Sequence, residues 1–595
     1  MNSLPARLPV RCPFPALLAI LLFAFAGHAA ARNILPSVSI TSPTSGASFA
    51  APATITISAT ATDADGTIAK VEFFVGQTKL GEDTTAPYSI VWSGVAAGSY
   101  SLTARATDNA GGTKKSKPVP ITVTAADGRA TVGEWSPVIP WPDVAIHLHL
   151  LPDGTILSYS DDDHQDYPTN GTRLGGKTRA FVVTVPDNPA LVNWVEIPNT
   201  RTNVFCSGHA FLPDGRLLIV GGHDGVDGDG STHTTIFDYR LPNPWDYTNP
   251  DMSKGRWYPT ATSLANGEVL VLSGSIDSTE GTNALPEVWQ TGAGGGWRAL
   301  SNAIRKLPLY PGVHVAPNGR IFVSGPDPDT HYLDTSGAGM WSFVANRQFG
   351  SRSYGSSVTY EPGKILAIGG GDPPTSTAEV IDLTAATPAW NYVGSMASAR
   401  RQLNATVLPD GKVLVTGGTS SSGFNNGTNA VLTAELWNPA TGTWSTMASM
   451  QVPRLYHSTA LLLPDGRVLS AGGGRPAGTG TTDNENAEFF SPPYLFRGTR
   501  PTVSSAPATV GYGQTFSIGT PDAAAIASVT LVRLSSVTHA FNMNQRFNRL
   551  SFTAAGGGLQ ATAPANSNLA PPGHYMLFIL NGNGVPSVAK IIQLL

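Results

Sequence analysis

"FLPDGRLLIVGG", residues 211–222, is the stretch on which the fold turns. An apolar start leads into a Pro-Asp-Gly corner, then a second apolar run and a Gly-Gly end. The phrase has six counterparts: "HLLPDGTILSY" before it, then "SLANGEVLVLSG", "VAPNGRIFVSG", "TYEPGKILAIGG", "VLPDGKVLVTGG" and "LLPDGRVLSAGG". The corner glycines are Gly154, Gly215, Gly267, Gly319, Gly363, Gly411 and Gly466, separated by 61, 52, 52, 44, 48 and 55 residues. Two short apolar strands around a tight corner make a hairpin, and Asp-Gly or Asn-Gly supplies the positive φ that a two-residue hairpin loop needs. Such a period holds one four-stranded unit and is that of kelch-type propeller blades. "AELWNPATGTWSTM" agrees, adding strand, turn and Trp to close a unit. Seven corners predict seven blades over residues 132–498, with "VGEWSPVI" (132–139) completing the last blade and closing the ring.

The flanks are also β-rich. Residues 36–125 contain "SVSITSP", "ATITISATATD", "KVEFFVG", "YSIVWSG", "SYSLTARATD" and "VPITVTA", alternating runs split by Gly, Asp and Pro. Six or seven short strands at this spacing predict a β-sandwich. The segment resembles bacterial immunoglobulin-like modules of secreted proteins and carries no catalytic cluster, so a spacer or a contact with cell-surface glycan is expected. Beyond "SPPYLFRGTRPTV" the repeat stops, and residues 499–595 read as a C-terminal β-sandwich. The predicted fold class is all-β: a seven-bladed kelch-type propeller between two sandwiches.

Residues 1–31 read as a signal peptide, with Arg7 and Arg11, the apolar "FPALLAILLFAFA" and small residues near Ala31. That run is too short to span a bilayer, and no other stretch approaches membrane length. An exported, soluble protein is expected. Lys plus Arg number 37 against 41 for Asp plus Glu, a net charge of −4 without a basic patch. Nucleic acid is excluded as a partner, since phosphate binding needs clustered positive charge. The chain has two cysteines, and Cys12 falls in the leader. After export Cys206 has no second cysteine with which to form a disulfide.

Blades are related by rotation, so equivalent positions converge on one axis. Eight residues before each corner Asp or Asn stand Ala145, Cys206, Tyr258, Tyr310, Gln402 and His457, and counting from Pro362 adds Tyr354. Packing alone would select small apolar residues, and each of these has a packing explanation when taken singly. Together they gather a thiol, phenols, an amide and an imidazole. Tyr456 precedes His457, and neighbours on a regular strand point to opposite faces. Both face the axis only if the backbone there is irregular.

"CSGHAFLPDG", "RWYPTATSLANGEVLVLSG", "RLYHSTALLLPDGRVLSAGGG", "TRPTV" and "SSVTHAFNMNQRFNRL…PPGHYMLFILNGNGVPSVA" resemble the copper radical oxidases, the family of galactose oxidase and glyoxal oxidase. The resemblance runs from about residue 133 to the C-terminus. It implies copper held by Tyr258, Tyr456, His457 and His539, a donor set that suits copper(II). It also implies a Tyr-Cys cofactor, a thioether between Cys206 and Tyr258, which would account for the lone cysteine. Tyr456 would be the general base and Tyr258 the radical. Alcohols or hydrated aldehydes would be oxidised, and O2 would leave as hydrogen peroxide. For His539 to reach the metal, a loop of the last domain must plug the propeller axis.

Two positions depart from galactose oxidase. Its stacking tryptophan corresponds to Ile276, with Trp257 an alternative cover, and its sugar-binding arginine corresponds to Pro311. Galactose is therefore not the expected substrate. Tyr310, Tyr354, Arg401 and Gln402 are expected to line the pocket. Other motifs stay open: His147-x-His149 as a zinc or copper pair or as strand packing, "DGVDGDGSTH" (224–233) as a calcium loop through Asp224, Asp227 and Asp229 or a solvated loop, and "NGT" at 170 and 426 as glycosylation acceptors. The expected function is a secreted copper radical oxidase. The alternative is a non-catalytic propeller that binds cell-surface carbohydrate.

Overall fold

A computed structural model describes residues 32–125, 127–160, 178–292, 295–474 and 478–595. The leader and the Asn170 acceptor lie outside the described residues. The chain divides into two compact units, 1–126 and 127–595.

The first unit is a sandwich. One sheet joins Ser37–Ser42, Ala53–Thr62 and Tyr88–Val95; the other runs Ser48–Ala50, Val119–Thr124, Gly98–Asp108, Ile68–Val75, Thr78–Asp83, with Thr113–Lys115 on the Gly98–Asp108 strand. Alternation in "ATITIS" turns Ile55 and Ile57 inward to meet Val71, Phe73, Leu102 and Ile121. The strands that pattern reading passed over are Ser48–Ala50, Thr78–Asp83 and Thr113–Lys115. They are short and mostly exposed, so no apolar alternation marks them.

In the second unit seven antiparallel sheets of the described residues form the ring that the corners predicted, five of four strands, the first blade's of six and the last blade's of five. The innermost strands are His147–Leu150, Gly208–Phe211, Thr260–Ser263, Gly312–Val315, Ser356–Glu361, Arg401–Val407 and Ser458–Leu462. From the second blade to the seventh each packs on the next, the seventh packs on the first, and a His147–His209 hydrogen bond joins first to second. The last sheet takes its outer strand from the start of the unit: Glu134–Trp135 and Ile139–Pro140 pair with Asn486–Ser491. The ring is closed by hydrogen bonds between the two ends of the repeat, as "VGEWSPVI" suggested.

The corner itself differs from expectation. Leu212 N–H donates to the Arg216 carbonyl (2.8 Å) and Gly215 N–H to the Leu212 carbonyl (3.0 Å), so the loop is the three residues Pro-Asp-Gly. Proline sits where a turn wants φ near −65°, and only the glycine enters the left-handed region, which is the three-residue hairpin with a bulge. Equivalent bonds recur at Leu151, Leu264, Ala316, Leu408 and Leu463. A two-residue loop occurs in the fifth blade, where Glu361 pairs with Lys364 around Pro362 and Gly363.

The C-terminal region packs two sheets over Val529, Leu531, Leu577 and Ile579. A hairpin, Ser536–Thr538 with Phe541–Asn542, joins the first blade's sheet, pairing His147 with Thr538 and His149 with Ser536. This carries the following residue, His539, to the axis.

Candidate active site

Six of the seven ring positions lie in the left-handed region: Cys206 (φ 62°), Tyr258 (65°), Tyr310 (44°), Tyr354 (56°), Gln402 (58°) and His457 (63°). A side chain held there costs about 1–3 kcal/mol and persists only where its surroundings over-determine it. Part of the determination is a lacing of backbone bonds between neighbouring blades. Tyr258 N–H donates to the Cys206 carbonyl (2.9 Å), Tyr310 N–H to that of Tyr258 (2.9 Å), and Gln402 N–H to that of Tyr354 (2.8 Å).

Buried ion pairs set the approach to the ring: Arg256–Glu287 (2.8 Å), Arg352–Glu379 (2.6 Å), Arg400–Glu435 (2.6 Å) and Arg454–Glu488 (3.4 Å). Arg256, Arg352 and Arg400 stand two residues before Tyr258, Tyr354 and Gln402, whereas Arg454 stands three before His457. The seventh blade therefore fits one extra residue between its clamp and its corner. Tyr456 falls two residues after the clamp, and the left-handed turn at His457 lets the next side chain follow it, with the two rings stacked at 3.9 Å. This is the irregular backbone that successive axial residues required.

The five proposed side chains meet. The hydroxyls of Tyr258 and Tyr456 are in hydrogen-bond contact, and Tyr258 Oη lies 3.4 Å from His457 Nε2. Cys206 Sγ and a ring nitrogen of each of His457 and His539 lie within 4.8 Å of one another. The His539 ring is centred 4.5 Å from both Tyr258 and His457. Its Nδ1 is tied to Thr538 Oγ1 (2.6 Å), while Nε2 is buried with no hydrogen-bond partner among the described residues. An imidazole nitrogen left that way is costly unless it has a ligand to bind. Burial pushes the Tyr258 phenol well above its ordinary pKa, and burial with His457 nearby pushes His539 well below. A phenolate here therefore needs an adjacent cation. Among the described residues no other group of three or more Cys, His or carboxylate side chains is close enough to share an ion.

The cover over Tyr258 comes from its sequence neighbour. Trp257 stacks on it at 3.7 Å and 12°, and the indole N–H donates to His223 Nε2 (2.9 Å). Ser275, next to Ile276, exchanges backbone hydrogen bonds with Trp257 (2.8 and 2.7 Å). Tyr310 is also stacked on Tyr258, at 4.7 Å, and its hydroxyl donates to the Ser207 carbonyl (2.9 Å). The Pro311 carbonyl accepts from Thr260 Oγ1.

At the rim, Tyr354 is 42% exposed, and Arg401 lies over its ring while pairing with Asp372 (2.6 Å). The Gln402 amide is buried, and neither polar atom has a partner among the described residues. Sequence reading missed Phe424, which is 51% exposed with its ring 4.6 Å from Tyr456. It is the one aromatic in the polar run "SSSGFNNGTN", and that contrast was the available signal.

His147 and His149 are buried and, among the described residues, belong to no group of three close enough to share an ion, which favours packing over a metal pair: His147 Nε2 accepts from Cys206 N–H (3.0 Å), His147 Nδ1 meets His209 Nε2 (3.2 Å), and His149 Nδ1 meets Ser536 Oγ (2.9 Å), while His149 Nε2 has no hydrogen-bond partner among the described residues. In the acidic loop, Asp224 is exposed on a short hairpin.

A seven-bladed propeller plugged by a histidine from a C-terminal β-domain, with two phenols and a second imidazole at the plug, defines the class of galactose-oxidase-like enzymes. Residues 364–494 match the family model of the glyoxal oxidase N-terminus, 500–594 that of the galactose oxidase-like early set domain, and 36–104 that of a bacterial Ig domain. Galactose oxidase of Gibberella zeae is 29% identical over 78% of this chain and 70% of its own length. The aldehyde oxidase GLOX of Vitis pseudoreticulata is 31% identical over 66% and 82%. A fungal alcohol oxidase of the AA5 family, solved in complex with copper, superposes with a TM-score of 0.70 at 28% identity, covering 78% of this chain and all of its own. The chain belongs to the copper radical oxidase family and is an oxidase; the non-catalytic reading is set aside.

Proposed function

We propose that the chain is an exported copper radical oxidase that converts primary alcohols or aldehydes to aldehydes or acids while reducing O2 to hydrogen peroxide. The observation that carries this is the contact between the Tyr258 and Tyr456 hydroxyls beside His457 and His539. Tyr258, Tyr456, His457 and His539 would hold the metal, and nitrogen and phenol-oxygen donors suit copper(II). When bound, copper would supply a Lewis acid and the second of two one-electron acceptors.

The remaining chemistry belongs to the chain. Tyr456 accepts the substrate hydroxyl proton as general base. The Tyr258 phenoxyl radical takes a hydrogen atom from the substrate carbon. Cys206, joined to the Tyr258 ring as a thioether, donates electron density that makes the radical easier to form. Trp257 excludes water from the ring face it covers. Substrate loses two electrons and two protons in all, and O2 takes up both.

Tyr354 and Phe424 form an aromatic rim, and Gln402 offers a donor and an acceptor that no group among the described residues uses. With Pro311 in place of an arginine, small aldehydes and primary alcohols fit the site better than galactose. We assign residues 1–31 to an export signal, 36–125 to a module for cell-surface glycan, 132–498 to the propeller and 499–595 to the domain that delivers His539. The test is peroxide release by copper-loaded protein across aldehydes, primary alcohols and sugars, with peptide mapping for a Cys206–Tyr258 crosslink. Peroxide with at least one class and a crosslinked peptide are expected. Absence of both overturns the proposal.

A further inference from the structure

Cys206 stands outside the lacing that links three of the ring residues. Tyr258, Tyr310 and Gln402 each donate their backbone N–H to the carbonyl of the preceding ring residue. The ring residue before it, Ala145, is not left-handed, and its carbonyl accepts from Thr459 Oγ1 (2.7 Å). Instead, Cys206 N–H donates to a side chain, Nε2 of His147, at 3.0 Å.

That acceptor is the end of a buried relay. For Nε2 to accept, the neutral His147 ring carries its proton on Nδ1, which donates to His209 Nε2 (3.2 Å). His209 Nδ1 then donates to Ser536 Oγ (2.6 Å), whose hydroxyl donates to His149 Nδ1 (2.9 Å). The His147 ring is further fixed by stacking on Tyr159 at 4.4 Å, and the Tyr159 hydroxyl meets Ser207 Oγ at 3.1 Å. From Cys206 to His149 Nδ1 each donor has a defined acceptor, so the relay has one polarity, and it leaves the His149 proton on Nε2, which has no hydrogen-bond partner among the described residues. It runs from the backbone of Cys206 to the tail hairpin, three residues before His539.

We infer that His147 is a positioning residue for cofactor maturation: its Nε2 takes the Cys206 N–H and holds the Cys206 backbone where the sulfur meets the Tyr258 ring. The inference rests on the thioether proposed above. In that step the thiol S–H and one ring C–H are lost, one C–S bond forms, and the two electrons and two protons pass to O2, giving hydrogen peroxide. Without the acceptor, the left-handed strain at Cys206 is retained with one restraint fewer and its buried N–H loses the hydrogen bond to Nε2. Both disfavour the geometry that the step needs.

The test follows intact mass after adding copper(II) in air to protein prepared without copper, with far-UV circular dichroism to establish that each variant is folded. Wild type should lose the mass of two hydrogens. His147→Leu should crosslink about tenfold more slowly, the rate equivalent of one lost hydrogen bond. His147→Gln, whose amide oxygen offers an acceptor, should recover most of the rate. His149→Leu removes an equally buried imidazole that does not touch Cys206 and should stay near wild type. Should His147→Leu not fold, His147→Gln against His147→Met makes the same comparison. Equal rates in folded acceptor-bearing and acceptor-lacking variants overturn the inference, as does equal slowing by His149→Leu. A wild type that never crosslinks overturns the thioether reading instead.

Discussion

The two ends of the innermost blade strands use the same backbone conformation with opposite chemistry. At the corner end the left-handed residue is glycine in all seven blades, with φ between 79° and 89°. At the axial end six blades place Cys, Tyr, Tyr, Tyr, Gln and His in that region, with φ between 44° and 65°. Glycine goes there without a Cβ clash, whereas each side chain costs about 1–3 kcal/mol. The corner only reverses the chain, so the least strained residue suffices. The axis keeps strained residues because a left-handed turn lets six backbones deliver functional side chains towards one axis. Strain without glycine marks the site.

The comparison breaks most visibly at Tyr258. Tyr258→Phe keeps the ring and its stacking but removes the hydroxyl; peroxide release should fall at least ~10³-fold, with little change in melting temperature. Retained turnover in a peroxide assay would make the axial ring a packing feature.

At the corner end the effect should be on stability alone. Gly411→Ala puts a Cβ 3.1 Å from Phe547 at φ 84°, while Gly154→Ala at φ 87° meets nothing within 4 Å. The first should cost about 1–3 kcal/mol and the second ~1 kcal/mol, with activity per folded molecule unchanged, read from denaturation midpoints beside peroxide rates.

Between the two ends, in the fourth blade's inner strand, His314 is buried among Thr359, Ser324 and Ser357, and burial pushes its pKa down to about 3. The unfolded chain takes up a proton below about pH 6.5 and the folded one does not. Its contribution to stability is therefore complete above that pH and is lost as pH falls toward 3, at ~1.4 kcal/mol per pH unit. His314→Gln should flatten the acid limb of melting temperature against pH, and an unchanged limb would mean that the imidazole is already solvated.

The smallest effect is expected where an axial position is made like a corner. Tyr354→Gly relieves backbone strain by up to ~1 kcal/mol and removes a ring that is 42% exposed. Stability should hold or rise slightly, while KM rises and kcat changes little in steady-state assays. A loss of kcat would move Tyr354 from the rim into the chemistry.

Much of this was legible in the sequence because the corner is a local signal. Pro-Asp-Gly sets a register within each repeat, and counting from it found Cys206, Tyr258 and His457 without any coordinates. Tyr456 was harder, since its blade has one residue more between clamp and corner; "RLYH" against "RWY", "RSY" and "RRQ" spells this out only once the arginine–glutamate pairs are known. Phe424 gave only a lone aromatic in a polar loop. The corner was also read one residue too short in most blades, because Asp-Gly alone ignores the proline that begins the turn.

By itself the sequence determined the number of blades, the identity of the axial residues and the likeness to a radical oxidase, because turn chemistry and repeat spacing act between covalent neighbours. Tertiary structure alone decided which aromatic covers Tyr258, how Tyr456 and His457 share the axis, and that His147 takes the amide of Cys206. The first two contacts join sequence neighbours and the third joins two blades. The partners of the third lie tens of residues apart, and the first two depend on a backbone conformation that no local pattern encodes.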